Sequence, residues 1–80
     1  MPKVSLDPMQ KKQWEIQRYI IGEMKLRHIT QQDLADELEI SQPAVRYLIN
    51  HAQSISYSQL LIIFKVLETT DEDRRRLTTL

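Results

Sequence analysis

Between Leu38 and Gln42 the chain has only three residues, Glu39-Ile40-Ser41, in which to end one helix and begin the next. Start signals stand on both sides of that connection. Thr30-Gln31-Gln32-Asp33 is a variant capping box, a hydroxyl cap with an acidic side chain three positions on, and Ile29 with Leu34 forms its hydrophobic staple. Ser41 repeats the device with Ile40 and Val45 as staple, and Pro43 is tolerated in a first turn. Two helices of about eight residues joined this tightly cannot lie back to back as an antiparallel hairpin of long helices. They must cross sharply. A close crossing needs a small residue on the first helix and apolar contacts around it. Ala35 is the small residue, and Leu34, Leu38, Ile40, Val45 and Leu48 supply the contacts.

The remaining start signals divide the chain into five helices, near 8–27, 31–38, 42–50, 57–68 and 71–78. Asp7-Pro8-Met9-Gln10 caps the first, with proline at the first helical position. On that helix Ile16, Ile20 and Met24 form one apolar row, and Trp14, Ile21 and Met24 a second. Ser56-Tyr57-Ser58-Gln59, stapled by Ile55 and Leu60, starts the fourth helix. Thr70, followed by Asp71, Glu72 and Asp73, starts the fifth with an acidic turn that suits the helix dipole. A single glycine and three prolines agree with an all-α fold, because β architectures consume turn glycines. Eighty residues without cysteine are expected to make one domain, 1–80, stabilised by its core alone. The lone glycine, Gly22, falls inside helix one, where it suggests a close helix approach.

Several functions are disfavoured at once. His28 and His51 lie far apart with no spaced carboxylates between them, so no metal site is expected. No apolar run approaches the roughly 20 residues of a membrane span, and no secretory signal is present, so a soluble cytoplasmic protein is expected. No nucleophile–base set, phosphate loop or cofactor motif appears, so neither enzymatic activity nor a cofactor is expected. The balance of 11 cationic against 11 anionic side chains counts against a nucleic-acid partner, because such proteins usually carry excess Lys and Arg.

The third helix argues the other way. A step of about 100° per residue turns Val45, Leu48 and Ile49 inward and Gln42, Pro43, Arg46, Tyr47 and Asn50 outward. The outer face has two amides, a guanidinium and a phenol, and no carboxylate. Gln and Asn bridge adenine N6 and N7, and Arg bridges guanine O6 and N7, so this face has the chemistry for reading a major groove. In a helix-turn-helix pair that reading outweighs an ordinary solvated face.

Thr30-Gln31-Gln32-Asp33-Leu34-Ala35-Asp36-Glu37-Leu38, then Ile40-Ser41-Gln42, Val45 and Leu48-Ile49-Asn50, resembles the phage repressor/Cro class, the XRE-type helix-turn-helix family. The resemblance covers about residues 16–68, with the helix-turn-helix itself at 31–50, and implies a five-helix lambda-repressor-like domain. It implies that Gln31 donates to a phosphate and buttresses Gln42, and that Gln42 contacts adenine. Pro43, Ala44 and Tyr47 take the other base-facing positions, and the Asn50 amide meets the DNA backbone. Many family members have a buried arginine–glutamate pair where this chain has Met24 and Ile49. Joint replacement by apolar residues is physically sensible, since packed hydrophobes in place of a buried ion pair are often neutral or stabilising. Where the family favours glycine, the chain has His28, Glu39 and His51. Each costs on the order of 1 kcal/mol if it keeps a left-handed conformation; otherwise the turns are built differently.

Charge is distributed unevenly. Residues 1–29 carry a net +3, residues 30–41 four anions and no cation, and residues 42–67 only Arg46 and Lys65. Lys3, Lys11 and Lys12 gather at the N-terminus; Lys11 and Lys12 are candidate phosphate contacts, with a plain solvated surface as the alternative. Arg74–Arg76 are expected to be neutralised within their helix by Asp71–Arg75 and Glu72–Arg76 pairs. Trp14, Tyr19, Leu77 and Leu80 exceed what the family's core needs. Trp14 is expected in the core, and Leu77 and Leu80, with the exposed part of helix four, are candidates for a homodimer contact. A dimer would read a pseudo-palindromic operator of double-stranded DNA with half-sites about 34 Å apart. The expected function is therefore transcriptional regulation by operator occupancy, as a Cro-like repressor. The alternative is an antirepressor or antitoxin-like module that binds a protein partner, favoured by the neutral charge, the acidic second helix and Pro43.

Overall fold

The computed structural model describes residues 8–79. Asp7, Lys3 and Leu80, three residues given roles above, lie outside the described residues. Five helices follow one another: α1 (Pro8–Leu26), α2 (Gln31–Leu38), α3 (Gln42–Asn50), α4 (Tyr57–Val66) and α5 (Asp71–Thr78), with one 3-10 turn at Ala52–Ser54 between α3 and α4. No strand occurs among the described residues.

Local hydrogen bonding starts the helices where the residue types require it. Thr30 Oγ1 accepts the Asp33 N–H at 3.1 Å while the Asp33 carboxylate accepts the Thr30 N–H at 2.9 Å, completing the capping box. Ser56 and Gln59 form the same reciprocal pair at 3.1 and 3.0 Å. Ser41 Oγ accepts from Ala44 and Thr70 Oγ1 from Asp73. Each cap satisfies an N–H that the first helical turn leaves without a partner.

The helix ends are as regular as the starts, and they are made without glycine. His28, Glu39 and Glu68 all adopt the left-handed region, with φ of 57°, 57° and 52°. The residue after each closes the Schellman bond: Ile29 N–H to Met24 O, Ile40 N–H to Ala35 O and Thr69 N–H to Phe64 O, at 2.8, 3.1 and 2.9 Å. His51 departs from this pattern with φ −132°, so the chain leaves α3 extended and turns through Ala52–Ser54 instead. Glu68 is a left-handed position beyond the three at which the resemblance implies glycine. It explains why α4 stops at Val66 rather than 68. Glu39, exposed and without an ion pair, gives the clearest test: Glu39→Gly is expected to raise stability by up to about 1 kcal/mol, read as a rise in the urea midpoint at unchanged slope. A lower midpoint would refute a strained left-handed cap.

The core gathers Ile20 and Met24 from α1, Leu34 and Ala35 from α2, Val45 and Ile49 from α3, and Ile63 and Leu67 around the end of α4. Ala35 is fully buried, as the sharp α2–α3 crossing demands. Phe64 and Leu77 are buried beside this cluster.

Several expectations about individual side chains are corrected by how α1 sits. Trp14 is 51% exposed, with the Arg18 guanidinium 4.6 Å from its ring centroid, because the Trp14–Ile21 row points away from the core. Tyr19 instead joins the core. It meets Phe64 edge-on at 6.4 Å between centroids, and its hydroxyl donates to the buried Thr69 hydroxyl at 2.8 Å. Gly22 faces open space, with nothing within 4 Å of an added Cβ, so no helix approaches it. Leu77 is 0% exposed and fills the single chain's own core, which removes it as a dimer contact. The Asp71–Arg75 and Glu72–Arg76 pairs are absent; Arg76 bridges Asp73 at 3.4 Å and Glu15 at 3.8 Å, since α1 brings a carboxylate to α5.

Candidate nucleic-acid interface

The outward face of α3 carries no carboxylate among its exposed side chains. Val45, Leu48 and Ile49 are buried, so the three-residue inner stripe anchors the helix by hydrophobic burial alone. Gln42, Pro43, Arg46, Tyr47 and Asn50 are exposed, and Ala44 is half-buried behind the Ser41 cap. None of these side chains is tied up in an ion pair within the protein. Tyr47 is 55% exposed, and its ring leans on His51 at 4.2 Å between centroids, which limits the directions its hydroxyl samples.

Around that face, α1 and α2 contribute two grooves. One, of about 410 Å³, is lined by Ile21 and Met24 of α1, Gln31 of α2, and Arg46, Ile49 and Asn50 of α3. Its floor includes Met24 and Ile49, 8% and 5% exposed, the two positions where the resemblance implies an ion pair. Both are apolar and buried together in the core cluster, so no charge there requires compensation. The rim carries Gln31, Arg46 and Asn50: one fixed cation and two amides, with no acid. The resemblance implies that Gln31 supports Gln42, but the two are not hydrogen-bonded to one another among the described residues.

The second groove, of about 220 Å³, lies between α1 and the chain just after α3. Gln10, Gln13, Trp14 and Gln17 line it from α1, and Asn50, Ala52 and Gln53 from the other side. Asn50, at the end of α3, lines both grooves. Sequence reasoning did not single out these glutamines. Their i, i+3, i+7 spacing on one helix was a usable signal, but Gln53 reaches them only through the 3-10 turn.

The two lysines separate. Lys11 is exposed. Lys12 is committed to the fold: its ammonium donates to the Arg76 carbonyl at 2.7 Å and pairs with Glu15 at 3.5 Å, which favours the C-terminal end of α5. The acidic side chains of α2 are partly self-contained. Asp33 is in its capping box, and Asp36 accepts from the Gln32 amide at 2.9 Å.

Among the described residues no helix is long and apolar enough to cross a membrane, and no group of three His, Asp or Glu side chains is placed to hold a metal ion. Comparison with protein families finds a match to the helix-turn-helix family over residues 20–73, which takes in α2 and α3 with the core helices on either side. No curated protein and no solved structure matches the chain.

Proposed function

The chain belongs to the helix-turn-helix family of XRE type, a family of DNA-binding regulators, and we propose that it recognises a specific double-stranded operator and regulates transcription by occupying it. The observation that carries this reading is the outer face of α3, where five exposed side chains include two amides and a guanidinium and no carboxylate. In this reading Gln42 makes the bidentate contact to adenine, and Pro43, Ala44, Arg46 and Tyr47 present the rest of the base-facing surface. Gln31, Asn50 and Lys11 meet phosphates and set the register of α3 in the groove. Lys12, held against α5, contributes to the fold rather than to the contact.

Binding as a homodimer to a pseudo-palindromic site follows from the small number of base contacts, since two-fold pairing doubles them. With Leu77 buried, the dimer contact falls to the exposed part of α4, where Tyr57 and Leu61 are 71% and 39% exposed. Sedimentation of a monomer alone, with and without operator, would remove the dimer from the proposal.

Gln42→Ala is expected to cost about 1–3 kcal/mol of specific binding and to relax selectivity at one base position. Arg46→Ala is expected to weaken specific binding and to relax selectivity at the base pair it faces, by about 1–3 kcal/mol. Full operator affinity in the double variant would refute α3 as the reading helix. Selection from a random duplex library at two salt concentrations tests the function itself. Enrichment of a palindrome supports the regulator; enrichment of nothing favours the protein-binding module.

A further inference from the structure

Ile21 keeps 46% of its surface exposed, yet it does not stand on an open helix face. It lines the groove of about 410 Å³ between α1, α2 and α3, together with Met24 and Ile49. The polar lining is Gln31, Arg46 and Asn50, and among the described residues none of the three has a hydrogen bond or ion pair within the protein. The groove therefore joins three apolar side chains to one unpaired guanidinium and two unpaired amides, with no acidic side chain in its lining. Its size falls within the range of small-molecule sites, about 300–1,000 Å³. A DNA phosphate can use the polar rim, but it has no apolar part to set against Ile21.

We propose that this groove binds a small organic monocarboxylate with an apolar body, and that the bound molecule competes with operator DNA. One fixed cation matches one negative charge. The planar guanidinium of Arg46 suits a carboxylate, whose two oxygens it meets through two parallel N–H bonds. The amides of Gln31 and Asn50 are further donors to the same group. The carbon body lies against Ile21, Met24 and Ile49, where its burial supplies affinity that a bare anion lacks. The competition rests on the DNA-binding reading: Gln31, Arg46 and Asn50 are the groups which that reading assigns to bases and phosphates, so they cannot serve both partners at once. A ligand held there releases the operator, which makes the groove an inducer site within the reading unit itself.

Octanoate is the probe, with octanol and acetate as controls that each keep one half of its chemistry. Titrated into the protein alone, octanoate is expected to move the NMR signals of Ile21, Met24, Arg46 and Ile49. Octanol and acetate are each expected to bind at least about tenfold more weakly. Arg46→Gln should weaken octanoate binding about tenfold or more. Ile21→Ser should weaken it about threefold or more without changing affinity for the selected duplex. With the duplex present, octanoate at about ten times its own dissociation constant should raise the apparent duplex Kd about tenfold in the wild type, and less in Ile21→Ser. Four results would each overturn the carboxylate site: no shift at these residues, shifts instead around Met9, Ile55 and Leu60 in the apolar cleft on the far side of α1, octanol binding as tightly as octanoate, or unchanged octanoate affinity in Arg46→Gln. Octanoate that binds the groove yet leaves the duplex Kd unchanged overturns the competition. A protein that binds octanoate but no duplex keeps the site and removes the operator reading, and the competition with it.

Discussion

Ile49→Glu is expected to cost about 3–5 kcal/mol of stability, a large fraction of the roughly 4–12 kcal/mol that holds a domain of this size. Ile49 is 5% exposed and packs within the core cluster beside Met24. A carboxylate at that position loses most of its hydration, and the only cation lining the adjoining groove is Arg46 on its rim. The decisive comparison is the double variant Met24→Arg/Ile49→Glu, which installs the ion pair that the family resemblance implies for these two positions. It is expected to recover at least about 2 kcal/mol of the sum of the single losses, because each new charge then has its partner. It should remain somewhat less stable than wild type, since packed Met and Ile pay no desolvation. Urea unfolding of the four proteins in the cycle measures this. Strictly additive losses would mean that residues 24 and 49 do not face one another, and that the apolar pair is not a replacement for the ionic one.

Leu77→Ala is the second large effect, about 2–5 kcal/mol, from lost burial and the cavity left behind. Leu77 is wholly buried, and Arg74, one turn earlier on α5, lies over Phe64 at 5.8 Å from its ring centroid. The short helix is thus part of the core's lid. The expected signature is a fall in the unfolding midpoint that does not depend on protein concentration. A midpoint that varies with concentration in the wild type, and loses that dependence in Leu77→Ala, would return Leu77 to an interface between two chains.

The α2–α3 unit was legible in the sequence almost residue by residue, because its determinants act over three or four positions. Thr30 with Asp33 and Ser41 with Ala44 are contacts between near neighbours, and the inward stripe of Val45, Leu48 and Ile49 follows from helical periodicity. Left-handed His28 and Glu39 belong with them, since a Schellman closure involves only the last turn of one helix. The side chains whose places the sequence leaves open lie on α1 and α5. Both apolar rows of α1 satisfy the same period, so nothing local distinguishes the Ile16–Ile20–Met24 side, which is packed, from the Trp14–Ile21 side, which faces solvent. Arg76 likewise had equally good acidic neighbours in its own helix. Glu15, supplied by a helix more than sixty residues away in the chain, joins Asp73 in binding it instead.

The sequence by itself therefore determined five helices, the capped starts of α2 to α5, the sharp crossing of α2 and α3, and the carboxylate-free outer face of α3. All of these depend on hydrogen bonds and side-chain spacing within a turn or two. Only the tertiary structure decided that Leu77 belongs inside, that Trp14 belongs outside, and that Lys12 is bound to the end of α5. It alone brought Gln13 and Gln17 to Asn50 and Gln53. Convergence of that kind depends on how α1 crosses the chain after α3. That crossing is set by which apolar faces bury together, a choice made jointly by residues far apart in the chain.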